Sequence, residues 1–276
     1  MFQNTYGRYD KTSLRFTRFL FKLFLNETAE KVDNIVKAAL FIPCLSEHLY
    51  PESALNMVKV LQYLGVDIDY VENQTCCGQI EYNSGLRDEI VPVAEHFIEL
   101  FSHKPCIVAP SGSCVAMVRK FYYDLDIRDN LKSARDELAG KIYEFTEFLV
   151  DVLQVTDLNG RFPHSVTYHD SCHLNRELGI YEQPRKLIRS ISDINFIEMQ
   201  DPDLCCGFGG TFSYKFKELS IRMVAQKCEN ISNSRAEYCI GADESCLMNI
   251  EGYLIKHAMK ARTLHIATLL AKSLGL

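Results

Sequence analysis

Two adjacent cysteines followed by a glycine occur twice in this sequence, as "QTCCGQ" at residues 74–79 and as "DLCCGFGG" at residues 203–210. In each copy 31 or 32 residues separate a single cysteine from the pair that follows it, and 36 or 39 residues separate the pair from the next cysteine of the repeat. The two sets are Cys44, Cys76, Cys77 and Cys114, and Cys172, Cys205, Cys206 and Cys246. Because chance does not readily repeat two such gaps, the pattern predicts an internal repeat.

Composition limits what such a repeat can be. The chain has 276 residues, of which 47% are hydrophobic, so it is long enough and apolar enough for two α/β units with cores. The net charge of −6 argues against nucleic acid as the main partner. The apolar stretch at residues 19–25 is interrupted by Lys22 and lacks a following cleavage site, so we expect no signal peptide and a cytoplasmic location. Eleven cysteines in a reducing compartment indicate metal or redox chemistry.

Short apolar runs alternate with helical patterns along the chain, which predicts parallel sheets covered by helices. The predicted strands are 38–42, 66–71, 106–109, 165–169, 194–199 and 238–242. The predicted helices include "YPESALNMVKVLQYLG", "RDEIVPVAEHFIELF", "RKLIRSIS", "KFKELSIRMVAQKCENI" and "RTLHIATLLAKSL". We therefore expect an α/β fold of two pseudo-repeated halves, at residues 37–158 and 159–276, after an N-terminal extension at residues 1–36.

Every cysteine of the repeat follows the carboxyl end of a predicted strand. In open α/β sheets that edge is where ligands bind, so three loops in each half are expected to bring four sulfur atoms together. Four converging thiolates suit tetrahedral zinc or an iron–sulfur cluster. Adjacent cysteines point in different directions and fit a core of several irons better than one small ion. Zinc and merely buried or redox-active thiols remain the alternatives.

Other polar residues lie close to these cysteines. Cys172 is surrounded in the sequence "YHDSCH" by His169, Asp170 and His173. One interpretation is that these residues donate hydrogen bonds near a cluster or relay protons. The alternative is that they cap the next helix. Cys106, Cys228 and Cys239 lie outside the repeat and are expected to act as small apolar residues. His265 is expected to be a core or partly exposed residue. Arg176 and Arg185 are candidates to bind a carboxylate, but the expected role of each is a surface or helix-end charge.

The combined motifs resemble the cysteine-rich CCG-domain family. They are "FIPCLSE", "QTCCGQIEYNSG", "APSGSC", "EFTEFLVD", "TYHDSCHLNRELGI", "QPRKLI", "CCGFGGTFS" and "CLMNIEGYL". The family includes the cysteine-rich subunit of heterodisulfide reductase and the iron–sulfur subunit of glycolate oxidase, and the chain is most similar to the iron–sulfur subunits of lactate utilization complexes. The resemblance spans about residues 38–271.

The sequence departs from the family pattern at two matching positions. The fullest form of the motif has C-x2-C at the end of each half, but here the first cysteine is replaced by Ser111 and by Asp243. Each half therefore offers four thiolates instead of five. The bridged clusters that the resemblance to heterodisulfide reductase implies are less favoured here, and one or two ordinary [4Fe-4S] clusters are at least as compatible. Ser111 and Asp243 are expected to lie beside the cluster ligands.

The resemblance also implies a role and partners. It implies electron transfer in a complex that oxidises L-lactate to pyruvate and passes electrons towards the respiratory chain, together with a ferredoxin-like iron–sulfur subunit and a third, smaller subunit. The alternatives are thiol–disulfide chemistry at a cluster, as in heterodisulfide reductase, and a structural zinc protein. Residues 8–25 form a predicted basic amphipathic helix, which would contact an anionic membrane surface or, alternatively, the protein core or a partner subunit.

Overall fold

A computed structural model describes residues 36–276, and the predicted amphipathic helix at residues 8–25 lies outside them. The described chain forms two four-stranded sheets with the same strand order, β2-β1-β3-β4 and β6-β5-β7-β8, and every pairing is parallel. Helices cover both sheets. This arrangement confirms the predicted α/β fold of two repeated halves.

The first half contains the first sheet and its crossover helices. Its strands are β1 (Lys37–Leu40), β2 (Asp67–Tyr70), β3 (Ile107–Ala109) and β4 (Ile142–Glu144). Its helices are α1 (Cys44–His48), α2 (Pro51–Tyr63), α3 (Gln79–Asn83), α4 (Arg87–Phe101), α5 (Gly112–Arg119), α6 (Lys132–Ala139) and α7 (Phe145–Glu147), which continues into a π-helical turn at Phe148–Val152. Short 3-10 turns occupy Phe121–Asp124 and Asp129–Leu131.

The second half repeats this order with fewer helices. Its strands are β5 (Ser165–Tyr168), β6 (Asn195–Phe196), β7 (Tyr238–Gly241) and β8 (Arg262–His265). A π-helical turn at His173–Glu177 follows β5, and the helices are α8 (Glu182–Arg189), α9 (Phe212–Lys215), α10 (Lys217–Ser234), α11 (Glu244–Lys256) and α12 (Ile266–Leu274).

Three apolar clusters hold these layers together. The largest cluster lies between the two halves, and includes Leu40 and Met57 from the first and Ile240 and Leu269 from the second, all fully buried. The other two clusters fill the outer side of each sheet, around Phe97 in the first half and around Ile250 in the second. Because strands such as β3 are buried on both faces, they consist of continuous apolar residues instead of an alternating pattern.

Helices α2 and α12 form the central contact between the halves. At this contact Asn56 Nδ2 donates a hydrogen bond of 3.2 Å to Thr268 Oγ1, and both side chains are buried. A second polar link joins His265 Nε2 to the carbonyl oxygen of Pro110 at 3.1 Å. The two halves therefore share one core and are tied together close to the carboxyl ends of their strands.

Two predicted elements differ from the structure, and one further strand was not predicted. The stretch "RTLHIATLLAKSL" was expected to be one helix, but its first four residues form β8, because they pair with β7, and the helix begins only at Ile266. His265 is the residue at this change, and its Nδ1 accepts a hydrogen bond from the backbone amide of Ala267. The sequence prediction missed β4, and the predicted strand at 194–199 contains only the two residues of β6.

Candidate metal centre

All eight cysteines of the repeat line a single cleft between the two halves. Each of them lies in the loop that follows a strand, or in the first turn of the helix after that loop, so the parallel sheets place them at one common edge. The cavity measures about 90 Å³, well below the roughly 300–1,000 Å³ of pockets that bury organic ligands. Cys77, Cys114, Cys206 and Cys246 are buried at its base, and the other four are partly exposed.

The first set of thiols forms a continuous chain. The sulfur atoms of Cys44 and Cys76 lie 3.7 Å apart, and Cys77 interacts through its sulfur with both Cys76 and Cys114. The backbone amide of Gly78 donates to Cys76 Sγ at 3.4 Å. Gly78 has a φ of 84°, a left-handed conformation that residues with a side chain rarely adopt, and this conformation turns its amide towards the sulfur.

The second set has the same arrangement. Cys205 interacts with Cys172 and Cys206, and Cys206 also interacts with Cys246. The backbone amide of Gly207, with a φ of 80°, donates to Cys205 Sγ at 3.4 Å. The two halves therefore reproduce not only the spacing of the cysteines but also the local hydrogen bond that the glycine makes.

The close contacts between thiols lower the pKa of some cysteines and raise the pKa of others. The hydrogen bond from Cys44 is the main cause that lowers the pKa of Cys76 to about 3, and the same contact raises the pKa of Cys44 above its ordinary value. In the second half, the hydrogen bond from Cys172 lowers the pKa of Cys205 to about 2. Hydrogen bonding to Cys114 and Cys76, together with burial, raises the pKa of Cys77.

These opposite shifts have one electrostatic cause. One thiolate in each set is stabilised by its neighbours' S–H groups, and every further deprotonation places like charges in contact. A cation between the sulfur atoms removes that penalty, since it attracts all of them at once. The donor set of four soft sulfur ligands in each half therefore fits a thiophilic metal or an iron–sulfur cluster.

Two residues that sequence reasoning did not identify support the cysteine pairs. The hydroxyl group of the buried Tyr122 donates to the carbonyl oxygen of Cys77 at 3.1 Å. Asn249 Nδ2 makes the matching contact, 2.8 Å from the carbonyl oxygen of Cys206. Both residues lie far after the cysteine pair in the sequence, and only the fold brings them to these loops. The sequence therefore gave no indication of these contacts.

A buried lysine lies beneath the second set and was also missed. Lys227 on α10 is fully buried, and its Nζ donates to the carbonyl oxygens of Asp201 and Pro202, both at 2.9 Å. These bonds hold the loop that leads to Cys205. Lys227 occupies a buried position of α10 between Val224 and Ile231, and this position within the helix was the only signal in the sequence.

Ser111 and Asp243 contact each other across the seam between the halves. Ser111 Oγ donates to Asp243 Oδ1 at 2.8 Å, and the backbone amide of Ser113 donates to the same oxygen at 3.0 Å. Ser111 also caps α5, since its Oγ accepts a bond from the amide of Cys114. Both replaced positions of the family motif thus lie next to the last cysteine of their own half and join the two halves.

The polar residues around Cys172 have three different environments. His169 is fully buried and neither of its ring nitrogens has a hydrogen-bond partner within residues 36–276, so its side chain does not cap the following helix. Asp170 is held by Arg185 through two bonds of 2.8 and 2.7 Å. His173 is partly buried, with Nδ1 3.5 Å from Cys172 Sγ.

The prediction for Arg185 was wrong. We expected a surface or helix-end charge, but its side chain is buried, because two carboxylates, Asp170 and Glu198, surround its guanidinium group. Arg176, by contrast, is exposed and contacts Asp203.

The three remaining cysteines do not line the cleft. Cys228 and Cys239 are buried in the outer core of the second half, as expected for small apolar residues, and burial raises the pKa of each to about 12. Cys106 is partly exposed and immediately precedes β3.

Comparisons with known proteins place the chain in a family. The model of the cysteine-rich domain family, CCG, matches twice, at residues 38–119 and 166–251. Lactate utilization protein A of Oceanobacillus iheyensis is 40% identical over 235 residues, which cover 85% of this chain and 96% of that protein. The protein of the same name from an Exiguobacterium species is 43% identical over 234 residues, covering 84% of this chain and 96% of the relative. The chain belongs to the CCG cysteine-rich domain family.

One solved structure supports the fold of this CCG-domain protein. A hypothetical protein from Helicobacter pylori matches with a TM-score of 0.62 and 12% sequence identity, over 98% of this chain and 55% of the other. The likeness extends across both halves, so it shows the two-part architecture and nothing about chemistry. Within residues 36–276, no helix is long and apolar enough to cross a membrane.

Proposed function

We propose that this CCG-domain protein binds iron–sulfur clusters of the [4Fe-4S] type through its two sets of four cysteines, one set in each half. The observation that carries the proposal is the pair of four-thiol chains that line one cleft, each ending in two buried sulfur atoms. Adjacent cysteines in both sets favour a core with several metal atoms over a single tetrahedral ion.

An iron–sulfur cluster held there would supply the ability to accept and release single electrons. The chain's own residues would tune that property. The amides of Gly78 and Gly207 each donate to a cysteine sulfur, which withdraws electron density from it. The buried thiols at the base of the cleft keep water from half of the sulfur ligands.

The proposed cellular role is electron transfer in lactate utilization, because the curated relatives that align over almost their whole length are lactate utilization A proteins. In this role the chain acts as one subunit of a complex that oxidises L-lactate to pyruvate and directs electrons towards the respiratory chain. Its partners would be a ferredoxin-like iron–sulfur subunit and a third, smaller subunit.

Metal analysis of anaerobically purified protein tests the cofactor. We expect iron and acid-labile sulfide in equal amounts, with a brown colour. Cys77→Ser and Cys206→Ser should each lower the iron content by about one cluster, because each removes a buried sulfur from one set. Cys106→Ser is the matched control, since Cys106 does not line the cleft, and it should keep the full iron content. Colourless protein that contains zinc would contradict the proposal.

Growth tests the role in lactate utilization. A strain that lacks the gene should fail to grow on L-lactate as the only carbon source, and a copy carrying Cys206→Ser should not restore growth, whereas the Cys106→Ser copy should. Normal growth of the deletion strain would contradict the role. Reduction of a disulfide substrate by the purified complex, with no activity towards lactate, would instead support heterodisulfide-reductase-like chemistry.

A further inference from the structure

His169 carries a polar imidazole ring in a buried position, where the residues that the structure describes give it no hydrogen bond. It follows β5 directly and is 1% exposed. Its backbone amide is bound to the carbonyl oxygen of Ile240, but neither ring nitrogen has a hydrogen-bond partner in the part of the chain that the structure describes. Burying a polar group without a partner is unfavourable, because the group loses its hydrogen bonds to water, so native proteins rarely leave one unpaired.

The ring lies beside two thiols of the second set. A ring nitrogen of His169 and the sulfur atoms of Cys206 and Cys246 all lie within 4.8 Å of one another, and all three residues are buried. The three groups therefore converge on one region of the cleft, where an iron of the cluster can take the imidazole nitrogen as its protein ligand.

We propose that His169 is a nitrogen ligand of the metal centre in the second half, where it replaces one of the four thiolates of that half. Each iron of a [4Fe-4S] cluster takes one protein ligand, so His169 and three cysteines complete the set. This inference rests on the proposed function, because it requires that the second set of cysteines binds metal. It gives the orphaned imidazole its missing partner.

No histidine occupies the matching position of the first half. The residue at the matching position is Phe41, which follows β1 as His169 follows β5, and whose amide binds the carbonyl oxygen of Val108 on β3. The Phe41 ring packs edge-on against Phe97, with ring centroids 4.8 Å apart. The two centres therefore differ in chemistry, the first having sulfur ligands alone and the second having mixed sulfur and nitrogen ligands.

A neutral imidazole changes the redox behaviour of the centre that it binds. A thiolate adds negative charge and stabilises the oxidised state, whereas a histidine ligand adds none and raises the reduction potential. The second centre should therefore have the higher potential of the two. Electrons that enter the cleft would accumulate at the second half first.

Isotope labelling of the intact protein tests the assignment directly. Full-length protein is purified anaerobically with ¹⁴N- or ¹⁵N-histidine, reduced, and examined by pulsed electron paramagnetic resonance. We expect one reduced centre to show the hyperfine coupling of a directly bonded nitrogen, which changes with the isotope. In His169→Cys that coupling should disappear, while iron content is kept and the potential of one centre falls.

His173→Gln is the matched control. It removes the imidazole next to Cys172, and the nitrogen coupling should persist. If the wild-type protein contains iron but shows no nitrogen coupling, the histidine assignment is wrong while the proposed function stands. The same conclusion follows if the coupling persists in His169→Cys or disappears in His173→Gln. Protein without iron overturns the proposed function as well. The labelled wild-type measurement decides the matter even if His169→Cys does not fold.

Discussion

Ser111 donates a hydrogen bond of 2.8 Å to Asp243, and this bond joins equivalent positions of the two halves. Each residue lies three positions before the last cysteine of its set, where the fullest form of the family motif has a further cysteine. Both are buried, with Asp243 only 1% exposed. The two residues that replace cysteines of the motif therefore form a pair. A serine hydroxyl group donates a strong hydrogen bond to a carboxylate, whereas two thiols at these positions would not form such a bond.

We expect these two residues to contribute jointly to stability. Asp243→Ala removes the acceptor of two hydrogen bonds and Ser111→Ala removes one donor, and a bond to a charged group contributes about 1.5–3 kcal/mol. In a double-mutant cycle followed by urea unfolding under anaerobic conditions, the coupling energy should be about 1–2 kcal/mol. Strictly additive effects of the two substitutions would show that the contact does not hold the halves together.

The glycine after each cysteine pair should respond differently to substitution. A Cβ atom at Gly207 would lie 2.7 Å from the carbonyl oxygen of Ser220, whereas one at Gly78 would lie 3.4 Å from the side chain of Ile90. Both glycines have positive φ, which costs an alanine about 1–2 kcal/mol, so the difference isolates the steric clash. Gly207→Ala should destabilise the protein by about 1–3 kcal/mol more than Gly78→Ala in thermal unfolding. Equal losses would contradict this geometry.

Cluster content provides a second measurement on the same pair of variants. Since Gly207 precedes α9 and contacts α10, the clash should move the loop that carries Cys205 and Cys206, and the iron content should fall in Gly207→Ala. Gly78→Ala should retain both centres. Full iron content in Gly207→Ala would show that the loop absorbs the added methyl group.

Several features of the fold followed from local sequence patterns alone. The repeat, the parallel strands and the placement of cysteines after strand ends depend on spacing and on short apolar runs, which are visible in the chain. Contacts between the halves were not predictable in this way. The bond between Ser111 and Asp243 joins residues far apart in sequence, and so does the contact between Tyr122 and Cys77.

The errors have physical causes of the same kind. The residues of β8 precede α12 without a break and look helical by themselves, and only pairing with β7 makes them a strand. Arg185 looks like a solvated charge, since nothing local reveals that Asp170 and Glu198 surround it. His169 stood out because of its neighbours in the sequence, but only the fold shows that its ring has no partner among the described residues.

Arg185 should be one of the most sensitive charged residues in the protein. Replacing it with methionine leaves the fully buried Asp170 carboxylate without its two bonds, and breaking a buried pair in this way costs about 3–5 kcal/mol. Arg176→Met is the matched control, because Arg176 is exposed and its contact with Asp203 contributes at most about 1 kcal/mol. Urea unfolding of both variants checks the comparison, and similar losses would contradict the role of burial.

Glu144 at the end of β4 is buried and carries an unsatisfied oxygen. Its Oε2 accepts hydrogen bonds from the amides of Thr146 and Glu147, while Oε1 has no partner among the described residues. Burial is the main cause that raises the pKa of Glu144 from 4.5 to about 8. The folded protein therefore holds a proton on this carboxyl group at pH values where the unfolded chain has released it.

The sign of the resulting pH dependence follows from proton uptake on folding. The stability that the protonated Glu144 provides is complete below pH 4.5 and is lost as the pH rises towards 8, at up to about 1.4 kcal/mol per pH unit. Glu144→Gln keeps an oxygen acceptor for the helix cap but cannot ionise. Urea unfolding of both proteins from pH 5 to pH 9 gives the difference between the free energy of unfolding of this variant and that of the wild type. This difference should increase steadily with pH and level off above pH 8, because ionisation of Glu144 destabilises only the wild type. A difference that stays constant across this range would show that the carboxyl group is already ionised at pH 5.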